Sequence, residues 1–85
     1  MSRIIFAEKA WEDYLFWQKT DKKTLKRINM LLRDIARNGN DGIGKPEPLK
    51  HRDGWSRRID EVNRLVYLLK GESIEILQCK GHYDD

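Results

Sequence analysis

A chain of 85 residues has room for one domain with one modest hydrophobic core, and we expect a single domain spanning residues 1–85. Its net charge of +3 and its pI of about 9.1, with 36% charged residues, indicate a soluble protein with a general attraction to polyanions. The single cysteine, Cys79, excludes an internal disulfide and a cysteine-based metal cage. The longest early apolar run, residues 4–7, is too short for a signal peptide or a membrane span, so we expect a cytoplasmic protein with no membrane partner.

Three elements are predicted before residue 40. Residues 3–6 are short, β-branched and apolar, which predicts a buried or half-buried strand. Over residues 7–18 the apolar positions recur at helical spacing, which predicts an amphipathic helix whose aromatic side chains are core, with Trp17 off the main stripe. A second helix is expected to begin at Thr20-Asp21 and to end at Asn38-Gly39.

The second helix carries a basic face opposite its apolar one. The cations on that face are Lys22, Lys23, Lys26, Arg27 and Arg33. A solvated helix surface is the commoner meaning of such a pattern, and a platform for an RNA backbone is the functional one. The sequence leaves both interpretations open.

The second half of the chain reads as strands with short connections. Residues 49–51 are a candidate short strand, and Asp53-Gly54 is a turn dipeptide that predicts a hairpin into a strand over residues 55–60. Residues 64–70 read as a central strand and residues 73–79 as the last strand. We therefore expect an α+β fold, with the two N-terminal helices packed on one face of an antiparallel twisted sheet.

Both prolines of the chain flank one carboxylate, in Lys45-Pro46-Glu47-Pro48. Each proline fixes φ and biases the residue before it toward extended geometry, so this segment cannot be helical. It predicts a stiff arm that holds Glu47 in place. The neighbouring cations are Lys50, Arg52, Arg57, Arg58 and Arg64.

A fixed carboxylate facing cations suits chemistry on a phosphate ester. RNA carries its own nucleophile, the 2′-hydroxyl, so its cleavage by internal transfer needs a base, an acid and cations on the phosphoryl oxygens. Glu47 is the candidate base, His82 the candidate acid and Arg64 the main cation. Further charge could come from Lys50 and Arg58.

Each of these residues also has a structural interpretation. Glu47 could be a solvated loop carboxylate, and His82 could be a surface histidine near the end of the chain. His51 is a second candidate acid, less favoured because Lys50 and Arg52 flank it.

The same holds for the candidate cation and for the last aromatic residue. Arg64 could be an ion-pair partner of Asp60 or Glu61. Tyr83 could pack, or could stack on an unstacked base. Cys79 lies in an apolar strand, where a thiol is more often packed than nucleophilic.

The residues that carry these features form a recognisable pattern over nearly the whole chain. The motifs are Trp11-Glu12-Asp13-Tyr14-Leu15, Lys26-Arg27-Ile28-Asn29, Gly44-Lys45-Pro46-Glu47-Pro48-Leu49-Lys50-His51, Trp55-Ser56-Arg57-Arg58-Ile59, Arg64-Leu65-Val66-Tyr67 and His82-Tyr83. In order and spacing they closely resemble the YoeB/Txe toxins of the RelE/ParE superfamily of toxin–antitoxin modules.

This resemblance implies a microbial-RNase-like fold and a toxin that cuts mRNA in the A site of the 70S ribosome, with no metal and no cofactor. It also implies a YefM-type antitoxin as partner, and a possible homodimer. The main alternative is a ParE-like relative that binds a protein target such as DNA gyrase, and a third possibility is an inactive module.

The resemblance also implies residue roles. Glu47 would be the general base, His82 the general acid, Arg64 the group that stabilises the transition state, and Tyr83 a residue that positions substrate. Contacts to phosphate would come from Lys50 and Arg58.

The chain departs from the pattern of these toxins at three places. The turn before Trp55 is shorter than usual, Asn63 stands where His is common, and Asp84-Asp85 extend beyond the usual terminal Tyr. None of the three removes a candidate catalytic residue.

Overall fold

The second helix lies between the caps that the sequence indicates, whereas the first helix ends at Thr20 and not at residue 18. In the computed structural model, which describes residues 3–82, helix α1 spans Glu8–Thr20 and helix α2 spans Lys22–Asn38. The side chain of Asp21 accepts a hydrogen bond from the Thr24 N–H at 3.1 Å and so caps α2 at its start. Gly39, with φ of 65°, ends the helix, as expected for a glycine after the last turn.

Five strands form one sheet beside the helices. They are β1 (Arg3–Phe6), β2 (Glu47–Pro48), β3 (Trp55–Arg58), β4 (Arg64–Lys70) and β5 (Ser73–Gln78). Their order across the sheet is β1-β5-β4-β3-β2. The expected antiparallel meander is present from β2 to β5. Strand β1 pairs in parallel with β5. Parallel strands need a long crossover connection, and the segment with both helices, which follows β1 in the chain, provides it. The α+β architecture is confirmed, with a sheet that is mixed.

Two strand predictions were wrong in detail. The strand expected at residues 49–51 lies at Glu47–Pro48, because the Leu49 N–H already closes the turn by donating to the Gly54 carbonyl at 2.9 Å. The first strand is not buried: Ile4 and Ile5 are 44% and 43% exposed, because β1 lies at the sheet edge with one strand neighbour.

The buried stripe of α1 also differs from the expected one. Ala10, Asp13 and Trp17 face inward, and Trp17 is only 8% exposed, whereas Trp11 is 48% exposed and stacks on Tyr14. The polar Asp13 in the middle of this stripe hid it from a hydrophobic pattern. Trp17, expected off the main stripe, is therefore a core residue.

The main core lies between α2 and the helix-facing side of β4 and β5. Its residues include Ile28, Leu31, Leu32 and Ile35 from α2, Leu65 and Tyr67 from β4, and Ile74 and Ile76 from β5. Side chains at alternate positions of these strands point to the opposite face of the sheet, away from the helices.

A buried arginine holds the loop between α2 and β2. Arg57 is fully buried, and the structure therefore removes it from the exposed cation cluster expected around Glu47. Its five N–H groups donate to the Tyr67 hydroxyl, the Asp34 carboxylate and the carbonyls of Gly39, Asp41 and Ile43. The hydrogen bond from Arg57 holds the pKa of Asp34 below its ordinary value. An arginine has five donors, so this guanidinium is fully satisfied inside the protein.

We expect Arg57→Met to lower the free energy of unfolding by about 3–5 kcal/mol, because the Asp34 carboxylate and the loop carbonyls lose their donor. Urea unfolding followed by tryptophan fluorescence measures the change. The matched control is Arg58→Met on the next residue of the same strand, whose exposed side chain should shift the value by no more than about 0.5 kcal/mol. Equal losses in the two variants would contradict the role given to Arg57.

Candidate functional site

The arm that carries Glu47 is fixed at both of its ends. The Gly44 carbonyl accepts a hydrogen bond from the Arg58 N–H at 2.7 Å, and Glu47 pairs with Ser56 in the sheet. Gly44 has φ of 81°, and a Cβ there would lie 2.9 Å from a Leu31 methyl group, so only glycine fits where the arm leaves the core. Glu47 itself is exposed at the end of this rigid arm.

The strand register puts the candidate base and two cations on one face of the sheet. Glu47 is opposite Ser56, Ser56 is opposite Val66, and Arg58 is opposite Arg64. Paired residues and alternate residues along a strand share a face, so Glu47, Arg58 and Arg64 all lie on the face away from the helices. The two strand spacings between Glu47 and β4 amount to about 10 Å.

The segment before His82 is bound to the start of β4. The Arg64 N–H donates to the Gly81 carbonyl at 3.0 Å, and the Gly81 N–H donates to Asn63 Oδ1 at 2.8 Å. His82 follows directly and is exposed. Across the sheet, Arg58 and Arg64 therefore lie between Glu47 on one side and the backbone of His82 on the other.

The second candidate acid lies elsewhere. Lys50 and His51 are exposed in the turn of the β2–β3 hairpin, beyond the Leu49 N–H bond to Gly54. This turn is at the opposite end of the hairpin from Arg58, the partner of Arg64. By backbone position, His82 and not His51 is the histidine beside the candidate cation. The remaining candidate, Tyr83, lies outside the described residues.

Arg64 is half-buried, and the turn before it is stabilised by Asp60 and not by the Arg64 side chain. The Asp60 carboxylate accepts the N–H groups of Val62 at 2.8 Å and Asn63 at 2.6 Å. Partial burial raises the pKa of Asp60, and the hydrogen bonds from Asn63 and Val62 outweigh that effect and lower it. Within the part of the chain that the structure describes, Arg64 forms no ion pair with Asp60 or Glu61. The structural interpretation of Arg64 as their partner is therefore wrong.

Cys79 is a packed residue, as expected. Its side chain is fully buried and its thiol lies 3.6 Å from the Ala10 carbonyl. Burial, with a smaller contribution from Asp13, raises the pKa of Cys79 to about 12.

Two structural residues could have been found from the sequence. Arg57 alternates with the apolar Trp55 and Ile59, which places it on the helix-facing side of β3. Asp13 is in helical phase with Ala10 and Trp17. Over residues 3–82, no three His, Cys, Asp or Glu side chains come together in the manner of metal ligands. Neither α1 nor α2 has the length and apolar character that a membrane span requires.

Comparison with known proteins agrees with this fold. Residues 6–83 match the family described as YoeB-like toxin of bacterial type II toxin-antitoxin system. Toxin YoeB from Synechocystis sp. is 53% identical over 83 residues, which cover 95% of this chain and 96% of that protein. A YoeB dimer from Staphylococcus aureus superposes with a TM-score of 0.91 at 48% identity, covering 96% of this chain and 98% of that one.

A YoeB–YefM complex from the same organism gives a TM-score of 0.90 at 46% identity, covering 98% of this chain and 99% of that one. The α+β fold with two helices and the family match over residues 6–83 assign the chain to the same class of protein, the toxins of type II toxin–antitoxin systems. The chain belongs to the YoeB-like family of toxins of type II toxin–antitoxin systems.

We expect the Cys79 thiol of the folded protein to resist iodoacetamide at about pH 8, because the thiolate is the reactive form and burial suppresses it. Mass spectrometry of the alkylated chain measures the rate. The same chain in urea serves as control and should react readily. Rapid alkylation of the folded protein would contradict the burial of Cys79.

Proposed function

We propose that this toxin is a ribosome-dependent mRNA endoribonuclease that cleaves mRNA in the A site and so inhibits translation. The observation that carries the proposal is the order of groups across the sheet. Glu47 lies on one side, Arg58 and Arg64 in the middle, and the backbone of His82 on the other. A phosphate held by the two guanidinium groups would have a base on one flank and an acid on the other.

This order suits the in-line displacement that RNA cleavage requires. Glu47 takes the proton from the 2′-hydroxyl, whose oxygen attacks the phosphorus as the bond to the 5′-oxygen breaks. His82 gives its proton to the departing 5′-oxygen, and the products are a 2′,3′-cyclic phosphate and a 5′-hydroxyl. Because the nucleophile belongs to the substrate, the reaction needs neither a metal nor a cofactor.

Cations on the protein serve two tasks in this proposal. The guanidinium of Arg64 neutralises the charge that accumulates on the phosphoryl oxygens, and Arg58 contacts the same phosphate. Lys50, in the turn at the opposite end of the hairpin, contacts another phosphate of the RNA. Tyr83 positions the substrate. The exposed cations of α2, Lys22, Lys23, Lys26 and Arg33, lie on the opposite side of the sheet from these groups, so they would contact RNA only outside the cleavage site.

The same family supplies the proposed partners. The S. aureus complex of YoeB with YefM supports a YefM-type antitoxin for this chain, and the S. aureus YoeB dimer supports a homodimer. The proposed substrate is mRNA on the 70S ribosome, which places the reaction in the cytoplasm.

Ribosome dependence is tested by incubating the protein with one mRNA, either naked or bound to 70S ribosomes with a defined codon in the A site. We expect cleavage at that codon on the ribosome and little or none of the naked strand. The control is the same ribosome with its A site occupied by tRNA, which should protect the mRNA. Equal cutting of naked and ribosome-bound mRNA would contradict ribosome dependence.

The roles of the acid and the base can be distinguished with a substrate in which sulfur replaces the bridging 5′-oxygen at the scissile phosphate. With ordinary mRNA, we expect Glu47→Gln and His82→Ala each to lower single-turnover cleavage by about 10²–10⁴-fold. Because a thiolate leaves without a proton, the sulfur substrate should restore cleavage by the His82→Ala variant and not by the Glu47→Gln variant.

The same variants separate this proposal from binding to a target such as DNA gyrase. Both should lose growth arrest in cells while their circular dichroism spectra match the wild type. Full toxicity of both variants would exclude the nuclease and favour a binding toxin.

A further inference from the structure

The chain just before His82 is held on its inner side by helix α1. The Cys79 N–H donates to Asp13 Oδ2 at 3.0 Å, and the Trp17 indole N–H donates to the Cys79 carbonyl at 2.8 Å. Asp13 is only 6% exposed. Both backbone groups of Cys79 are therefore fixed by buried side chains, and the chain leaves β5 in one direction.

On its other side, the same segment is held by two consecutive residues, Asn63 and Arg64. The Gly81 N–H donates to Asn63 Oδ1 at 2.8 Å, and the Arg64 N–H donates to the Gly81 carbonyl at 3.0 Å. Gly81 has φ of 93°, a conformation that L side chains rarely adopt, with open space where a Cβ would stand. We call these contacts of residues 79–81 with α1, Asn63 and Arg64 the tail clamp.

The side-chain amide of Asn63 uses both its oxygen and its nitrogen: the oxygen binds Gly81 and the nitrogen binds Asp60. Its Nδ2 donates to the Asp60 carboxylate at 3.0 Å, which can only accept. This bond fixes the orientation of the amide, so Oδ1 must point toward the Gly81 N–H. A side chain that only donates or only accepts cannot make both contacts.

We propose that Asn63 is a positioning residue that sets His82 against Arg64. The proposal rests on the proposed function, in which His82 is the acid and Arg64 the main cation. Asn63 is covalently joined to Arg64, and its amide binds the residue directly before His82. Without that amide, Gly81 keeps one hydrogen bond to β4 and can pivot about it, and glycine has more backbone freedom than any other residue.

A purely structural role would look different in kinetics. If Asn63 only stabilised the turn with Asp60, its removal would lower cleavage equally whether or not His82 is present. If it acts through His82, its removal has no effect once His82 is absent. A double-mutant cycle of the two residues therefore separates the two roles.

The test measures single-turnover cleavage of mRNA on programmed 70S ribosomes by the full-length Asn63→Ala, His82→Ala and double variants. We expect Asn63→Ala to lower the rate at saturating ribosomes by about tenfold, the order for one lost hydrogen bond, with half-saturation unchanged. In the His82→Ala background the same change should cost less than about twofold. The substrate with a bridging 5′-sulfur should remove the Asn63→Ala defect, because it needs no acid.

A pair of glycines provides a second test that leaves Asn63 intact. Gly81 and Gly71 both have positive φ, of 93° and 60°, and both have open space where a Cβ would stand. Gly81→Ala should therefore lower cleavage and regain it with the sulfur substrate. Gly71→Ala, in the turn between β4 and β5, should cleave like the wild type.

Three results would overturn the role of Asn63: wild-type cleavage by Asn63→Ala, an equal loss in both backgrounds, or a defect that persists with the sulfur substrate. If Asn63→Ala does not fold, equal cleavage by the Gly81→Ala and Gly71→Ala variants would overturn it. Failure of the proposed function is distinct, because the wild type would then not cut programmed ribosomes or His82→Ala would cut normally. In that case the role of Asn63 falls with it.

Discussion

The buried Arg57 guanidinium connects the core of this protein to its candidate site. It binds the Asp34 carboxylate on α2 and three carbonyls of the following loop, and that loop ends at Gly44, where the arm of Glu47 begins. Removing a guanidinium from water is costly, so such a group is tolerated only when all of its donors are satisfied. The loop supplies those acceptors, and the demand of Arg57 for them gives the loop its shape. The position of Glu47 thus depends on a residue that faces the other side of the sheet.

The segments that carry the proposed base and the proposed acid are held by different helices. The arm of Glu47 is tied to α2 through Asp34 and Arg57, and the segment before His82 is tied to α1 through Asp13 and Trp17. The helices contact each other directly, with the Tyr14 hydroxyl donating to Asn29 Oδ1 at 2.8 Å. Packing of α1 on α2 therefore helps to define the separation of the proposed base and acid, although neither helix contributes a candidate catalytic side chain.

The sequence predicted α2 to within one residue at its start, because its apolar period, its cap at Thr20-Asp21 and its Asn38-Gly39 stop are all local signals. It placed β2 two residues late, because the pairing of Leu49 with Gly54 depends on the geometry of the folded hairpin. The residues of the candidate site could be chosen from residue types and from a resemblance. Their arrangement in space could not be predicted from the sequence. The contact of Asn63 with Gly81 joins residues 18 positions apart in the sequence. It depends on the pairing of β4 with β5, which contains a register shift between Val66 and Tyr67. Long-range pairing of that kind has no signature in local composition.

Strand β3 carries two adjacent arginines with opposite tasks, Arg57 in the interior and Arg58 on the open face. A slip of this strand by one residue would exchange them, since side chains alternate between faces. The interior would then receive Arg58, and Trp55 would turn out to solvent. A misaligned hairpin would thus retain the same cations and still lose both its core contacts and its paired guanidinium groups. For this chain, correct strand alignment is one event that completes the hydrophobic interior and brings the cations together.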